Sequence, residues 1–375
     1  MKSVFFYANI RTYDLTLGIT RKVYSEIASF RKLGYSVTYS GYLRDGVAIF
    51  DNNDNIIRKV TYPFKNEKLV HAIRRTLLMK LCIDFIKTTS AKFDFSYVRY
   101  HFFDRLYIKM LKELKLKSSK VVIEAHSAPK FPKDYSIMRF VGWKDSIWNK
   151  KAHRYVDLVA SMSDEDKLWG IDTIKIANGI DVNSIKMHSY HGSQKDINLI
   201  AVSFEGPVHG YDRVLKGIYN YYKDGGSRNI FFHMVGTTMS STNELITKLG
   251  LSQRCFRYGP KAGEELDAIY NNANIGIGCL ANHRIGSRFG SALKTKEYIA
   301  KGIPFIYGWK ETVLRDFKYA LEFELCEDYI DMNKVISFYE SLSKENLAEQ
   351  IRQHLSYKDT WDYQIKKVVD AISKL

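Results

Sequence analysis

Apolar and polar positions alternate along this chain in blocks of two kinds. Val4–Tyr7 is a continuous apolar run, a loop follows as far as Gly18, and Val23, Ile27 and Phe30 then recur at intervals of four and three. That order predicts a buried strand, a loop and a helix from Ile19 to Leu33. Gly34 punctuates the helix, and Tyr35–Ser40 reads as a second strand, giving the opening unit of a parallel sheet. Further strands are expected at Phe95–Tyr100, Lys120–Ala125 and Asp157–Ser161. Ile174–Asp181 ends a strand in a turn, and the polar residues beyond it mark a boundary after a first domain over 1–178.

A second alternation covers 179–356. It predicts strands at Ile197–Ser203, Asn229–Val235, Cys255–Tyr258, Asn274–Cys279, Ile303–Tyr307 and Leu321–Leu325. Helices fall between them, one announced by a capping box, Ser241-x-x-Glu244. The stretch Tyr357–Leu375 is amphipathic and is expected to cross back onto the first domain. The pattern implies an α/β protein of two doubly wound, Rossmann-like domains facing each other. Ligands of such sheets sit beyond the carboxyl ends of the strands, here in the cleft between the domains.

Length and composition agree with two cores. The chain has 375 residues, 45% of them hydrophobic, too long for one ordinary core and too apolar for disorder. Cys82, Cys255, Cys279 and Cys326 are scattered without a CxxC pair, which suits a reducing compartment. The first residues lack the long apolar stretch of a signal peptide, and no run approaches the roughly 20 apolar residues of a spanning helix. The expected location is the cytoplasm, with peripheral attachment to the inner face of the cell membrane as an option.

The net charge of +16 points to an acidic partner: nucleic acid, an anionic membrane surface or a phosphate-bearing small molecule. Zinc-finger spacings, RNP-type elements and arginine-rich tracts are absent, which argues against nucleic acid. Lys65–Lys87 and Lys109–Lys117 mix basic and apolar residues, as helices lying on anionic bilayers do. Each reads equally well as a helix packed on the sheet with its lysines in water. Asp164-Glu-Asp166 spells DxD, a metal-binding triplet elsewhere. It follows Ser161-Met-Ser163 at what reads as a helix start, where acidic residues answer the helix dipole, so no metal is assigned.

Three segments of the second half resemble the retaining family 4 glycosyltransferases of GT-B fold. Asn178-Gly-Ile-Asp181 is similar to the NGID at that family's domain junction. His209-Gly-Tyr-Asp-Arg213 and the residues to Gly217 resemble its KG-x-D element in an HGYDR variant. Leu293–Pro304 matches K-x-x-EY-x-A-x-G-x-P, found in members that build bacterial surface polysaccharides. Weaker likenesses at Gly18, Tyr97–Tyr100 and Glu124-Ala-His126 extend the match over most of the chain.

The resemblance implies a metal-independent enzyme that moves a sugar from a UDP- or GDP-sugar to a glycan or lipid-linked acceptor, with retention, in capsule, exopolysaccharide or O-antigen assembly. The nucleotide sugar is then a substrate and no cofactor is needed. The first domain would take the acceptor and the second the donor. Breaking a sugar–phosphate bond without a metal calls for basic side chains and a helix N-terminus around the leaving diphosphate. The segment from Arg284 through Arg288, Gly290 and Ser291 to Lys294 is glycine-rich, cationic and runs into a helix. Alone it reads as a solvated loop with a Ser291 cap; with the signature that follows, it reads as the phosphate cradle. In the family the glutamate at Glu297 accepts hydrogen bonds from the donor ribose. His126 is a candidate contact to the transferred sugar, against the plainer reading of a structural histidine, and Gly18 a site of close backbone approach, against a plain turn. His209 and Arg213 are candidate donor contacts. Phe289 stands where many members carry the first glutamate of E-x7-E, and Phe204 and His209 stand where they carry an arginine and a lysine. A nucleotide-sugar epimerase or phosphorylase on the same scaffold is the alternative, with a basic nucleic-acid-binding protein a remoter one.

Overall fold

The computed structural model describes residues 2–125, 136–163, 165–190, 195–286, 292–309, 314 and 317–375. They divide into two compact units, Met1–Gly179 with Trp361–Leu375, and Ile180–Thr360.

In the first unit the chain runs β1 (Lys2–Tyr7), α1 (Gly18–Lys32), β2 (Tyr35–Tyr42), β3 (Gly46–Phe50), β4 (Ile56–Thr61), α2 (Glu67–Thr88), β5 (Phe93–Arg99), α3 (Arg105–Lys117), β6 (Ser118–Ala125), α4 (Ser136–Trp148), β7 (Leu158–Ser161), β8 (Lys167–Leu168) and β9 (Ile171–Lys175). The strands form one sheet in the order β4-β3-β2-β1-β5-β6-β7-β9-β8. From β2 across to β9 its pairings are parallel. Both faces are covered, and the central strands β1, β5 and β6 are buried over most of their length. Leu78, Cys82 and Ile86 of α2 and Tyr107, Leu111 and Leu114 of α3 pack on one face. Val23, Ile27 and Phe30 of α1 and Ile365 and Val368 of the C-terminal helix, Trp361–Ile372, pack on the other. Asp362 fastens that helix by accepting from Ser29 Oγ (2.6 Å) and Lys32 Nζ (2.9 Å).

Two features of this unit depart from the sequence expectations, and a third settles between the two readings of the basic segments. The antiparallel strands β3 and β4 were not expected; their joint is set by Asp51, whose Oδ1 accepts the N–H groups of Asn53 (2.8 Å) and Asn55 (2.9 Å). The helix expected after Ser163 is instead the hairpin β8–β9. Trp169 (φ +55°) and Gly170 (φ +77°) form its turn, and the Trp169 ring rests on Tyr100 and Phe103. The basic segments 65–87 and 109–117 spend their apolar residues mainly on the core, with Leu69 and Leu116 left exposed.

The second unit runs β10 (Asp196–Val202), α5 (Tyr211–Lys223), β11 (Asn229–Val235), α6 (Ser240–Lys248), β12 (Cys255–Gly259), α7 (Gly263–Tyr270), β13 (Ile275–Ile277), α8 (Leu293–Lys301), β14 (Phe305–Tyr307), β15 (Ala320–Glu322), α9 (Met332–Ser341) and α10 (Leu347–Arg352). Its parallel sheet has the order β12-β11-β10-β13-β14-β15, so the winding reverses between β10 and β13. A crevice at the carboxyl ends of those two strands is where such a sheet takes a ligand. The expected capping box at Ser241 does not form. Glu205, in the loop after β10, instead accepts from the Met239 N–H (2.7 Å) and the Thr242 hydroxyl (2.5 Å) at the start of α6.

The first unit buries a cluster of charges under α1. Lys22 Nζ lies 2.5 Å from Glu124, Arg99 lies 3.2 Å from the same carboxylate, and Glu26 is 3.6 Å from Lys22 with neither oxygen hydrogen-bonded among the described residues. Tyr97 and the Trp361 ring close the surroundings. Burial, then repulsion from Glu124, pushes the Glu26 carboxyl up from 4.5 to about 8 against the pull of Lys22 and Arg99. A folded-state value raised above the unfolded one gives stability that is whole below the unfolded value and lost as pH rises toward and through the folded one. Glu26 therefore weakens the fold between about pH 4.5 and 8, at a limiting slope of about 1.4 kcal/mol per pH unit. Glu26→Gln keeps the neutral form at every pH. Denaturant titrations are expected to show the variant gaining on the wild type steadily from pH 5 to pH 8; parallel pH profiles would contradict this.

Candidate functional site

At the β10–β13 reversal the loop after β10 and the first turn of α8 come close enough for the Lys294 charge to act on the His209 ring. Two main-chain carbonyls hold α8 there: the buried Tyr298 hydroxyl donates to Ile277 (3.0 Å) and Ile200 (3.2 Å), in the strands on either side of the reversal. The helix ends at Gly302 (φ +78°), whose N–H returns to Tyr298 and Ile299. A Cβ there would also lie 2.4 Å from Ala348 Cα, so glycine is required twice over. Lys296 is paired to Asp359 (3.0 Å) and Lys301 to Asp267 (2.5 Å).

Lys294, one turn before Tyr298, has no such partner. The residue is 8% exposed, and its Nζ makes no hydrogen bond among the described residues; the buried Thr295 hydroxyl is in the same state. Burial pushes the ammonium below its ordinary value, opposed by Cys279 and by half-buried Glu297 one turn along the same face. His209 stands beside it. The Gly206 N–H donates to His209 Nδ1 (2.8 Å), leaving the ring proton on Nε2. Burial first and the Lys294 charge second push this ring down to about 3, so it is a neutral donor at any working pH. A buried ammonium costs several kcal/mol unless an anion meets it. Lys294, the Nε2–H of His209 and the N-terminus of α8 together favour an anion, and Glu297 adds an acceptor for hydroxyl groups.

The described arginines of the region are committed. Arg213, expected to face a donor, donates instead to the carbonyls of Leu280, Glu324 (3.0 Å) and Asp328 (2.6 Å), tying α5 to the loops after β13 and β15. Arg284 grips Asp212 through two bonds of 2.9 Å and reaches Glu327 at 2.5 Å. A cavity of about 410 Å³ opens beside this pair, lined by Gly206, Asp212, Lys216, Thr242 and Arg284 among others. Gly179 belongs to a crossing of two strands of chain: a Cβ there would lie 2.4 Å from the Trp361 nitrogen. Gly18 opens α1 without a positive φ, so its backbone makes no demand for glycine. His126, Arg288, Gly290 and Ser291 lie outside the described residues, as does Asp164 of the DxD triplet. Among the described residues, no group of His, Cys, Asp or Glu is arranged to hold a metal ion.

Sequence reasoning missed the isolation of Lys294. Its lack of a partner among the described residues depends on which neighbouring charges find each other, and a linear pattern does not show that.

No family model and no curated protein matches the chain. Among solved structures, a glycosyltransferase from Rickettsia africae superposes with a TM-score of 0.64 at 12% identity, over 100% of this chain and 98% of that one. Sucrose-phosphate synthase from Thermosynechococcus elongatus gives 0.69 at 10% identity, over 100% and 99%. Anabaena HepE, in complex with UDP, gives 0.60 at 15% identity, over the whole of both chains. Identities this low establish the fold alone. It is the GT-B fold of glycosyltransferases, with two Rossmann-like domains.

Exchanging the buried Lys294 ammonium, unpartnered among the described residues, for an apolar group of similar length removes its desolvation cost. Lys294→Met is expected to stabilise the ligand-free protein by about 1–3 kcal/mol in denaturant titrations. A loss of stability would mean that Lys294 is a structural cation after all.

Proposed function

We propose that this chain is a glycosyltransferase that transfers a sugar from a nucleotide-sugar donor, UDP- or GDP-linked, to a glycan or lipid-linked acceptor. The observation that carries the reading is the buried Lys294 ammonium at the N-terminus of α8, without a hydrogen-bond or ion-pair partner among the described residues, with Glu297 one turn away and His209 close by. Cleavage of the bond between the sugar and the diphosphate builds negative charge on the leaving oxygen. In this reading Lys294, the His209 Nε2–H and the free amide groups of α8 meet that charge in a site already stripped of water, where such donors count most. Glu297 accepts from the vicinal hydroxyls of the ribose. Arg288, Gly290 and Ser291 complete the phosphate cradle, Gly18 lets the first domain's loop approach the donor, and His126 touches the transferred sugar near its reacting carbon. Arg213 leaves the list of donor contacts and becomes a brace for the loops behind the site.

Support comes from the fold and from what its neighbours hold: HepE was solved with UDP, and an Arabidopsis starch synthase of the same fold with ADP and acarbose. Retention, metal independence, membership of family 4 and a place in surface-polysaccharide assembly follow from the sequence resemblance and belong to the same proposal. So does a working position in the cytoplasm, peripheral at the membrane.

A thermal-shift screen of UDP, GDP, ADP and dTDP with their sugars tests the reading. One nucleotide at about a hundred times its dissociation constant is expected to stabilise the protein by about 2.7 kcal/mol, undiminished by excess chelator. Lys294→Met and Glu297→Gln should lose that shift, whereas His126→Ala should keep it and lose turnover. Silence from every nucleotide, or a shift that persists in Lys294→Met, contradicts the assignment.

A further inference from the structure

Helix α4 turns the wrong side chains to solvent for a free surface. Phe140, Trp143 and Ile147 lie at intervals of three and four on one stripe, and they are 54%, 58% and 42% exposed. The opposite side of the helix is anchored. Asp145 is buried and accepts from the Tyr100 hydroxyl and the Phe103 N–H, both at 2.6 Å, and Trp148 packs against the core. The exposed stripe is therefore not the helix's packing face left over by a loose dock. Phe140 and Trp143 stack on each other with centroids 5.7 Å apart, which gathers the apolar surface into one patch.

Cations accompany the patch. Lys144 Nζ lies 5.0 Å above the Phe140 ring, Arg139 beside it in sequence is exposed, and Lys150, Lys151 and Arg154 are exposed in the turns that follow the helix. Between residues 139 and 156 the one acidic side chain is Asp145, which is turned inward. Aromatic rings that reach below the headgroups, ringed by lysine and arginine at headgroup level, are what an interfacial helix on an anionic bilayer needs. Charge argues against a second copy of this chain as the occupant, since the same cations would face each other on a protein of net charge +16. Among the described residues, no helix is long and apolar enough to cross a membrane.

We infer that α4 is a membrane-docking element that inserts Phe140, Trp143 and Ile147 among the headgroups of an anionic bilayer. This moves the contact away from the basic segments of α2 and α3 and deepens the peripheral-membrane reading without using the transfer chemistry. The test is co-sedimentation of the full chain with phosphatidylcholine vesicles, with and without phosphatidylglycerol. Binding is expected to the anionic vesicles alone and to weaken with salt. Phe140→Ser/Trp143→Ser should weaken it by at least about tenfold, with thermal stability and any nucleotide-induced shift unchanged. Full binding by that variant sinks the assignment to α4 while leaving the membrane reading standing; no binding by the wild type sinks both. If the same substitutions instead dissolve a dimer seen by light scattering, or abolish retention on a nucleic-acid column, the patch serves a different occupant and the inference is overturned.

Discussion

The candidate site rests on one buried charge that finds no hydrogen-bond or ion-pair partner among the described residues. Lys296 and Lys301, on the same helix, have carboxylate partners, and Arg213 and Arg284 nearby are taken up by carbonyls and carboxylates. Lys294 is buried as deeply and has none among the described residues. Such a group is costly to a fold of marginal stability, which makes Lys294 the candidate contact for an anionic ligand. The neighbouring groups make sense around that requirement. His209 is held neutral and donating, Glu297 limits the positive field without cancelling it, and Tyr298 fixes the turn of helix that carries Lys294.

The short motifs divide accordingly into scaffold and chemistry. In Leu293–Pro304, Tyr298 hangs the helix from two strands, Gly302 ends it, and Ala300 is fully buried, so these positions answer to packing. Lys294 has no equivalent structural bond among the described residues. In His209–Arg213, Arg213 braces three main-chain carbonyls and Asp212 holds Arg284, while His209 alone is coupled to Lys294. At Asn178–Asp181, Gly179 admits the crossing of chain at Trp361 and Ile180 pairs with Thr360. A motif can thus identify a fold securely while only part of it bears on the ligand.

Much of the architecture was legible because it follows from hydrophobic period. The strands β1, β6, β10 and β11 each contain an apolar run of three or four residues, β2 and β5 alternate apolar with polar positions, and the C-terminal helix announced its stripe. What escaped was decided by single side chains acting at a distance. The β3–β4 hairpin follows from Asp51 gathering two amide groups, β8–β9 from a Trp169 turn that packs on Tyr100, and the start of α6 from Glu205 of a different loop. The same is true of Arg213: its charge was visible in the sequence, but the carbonyls that consume it come from segments more than sixty residues away.

Proton uptake on ligand binding tests the central claim most directly. A diphosphate that pairs with Lys294 must restore the ammonium that burial weakens. Calorimetric titration of UDP, or whichever nucleotide stabilises the protein, in buffers of different ionisation enthalpy above neutral pH is expected to show protons taken up by the wild type. The uptake should vanish in Lys294→Met, with affinity at least about a hundredfold lower. Equal affinity and equal uptake in the two proteins would contradict the account.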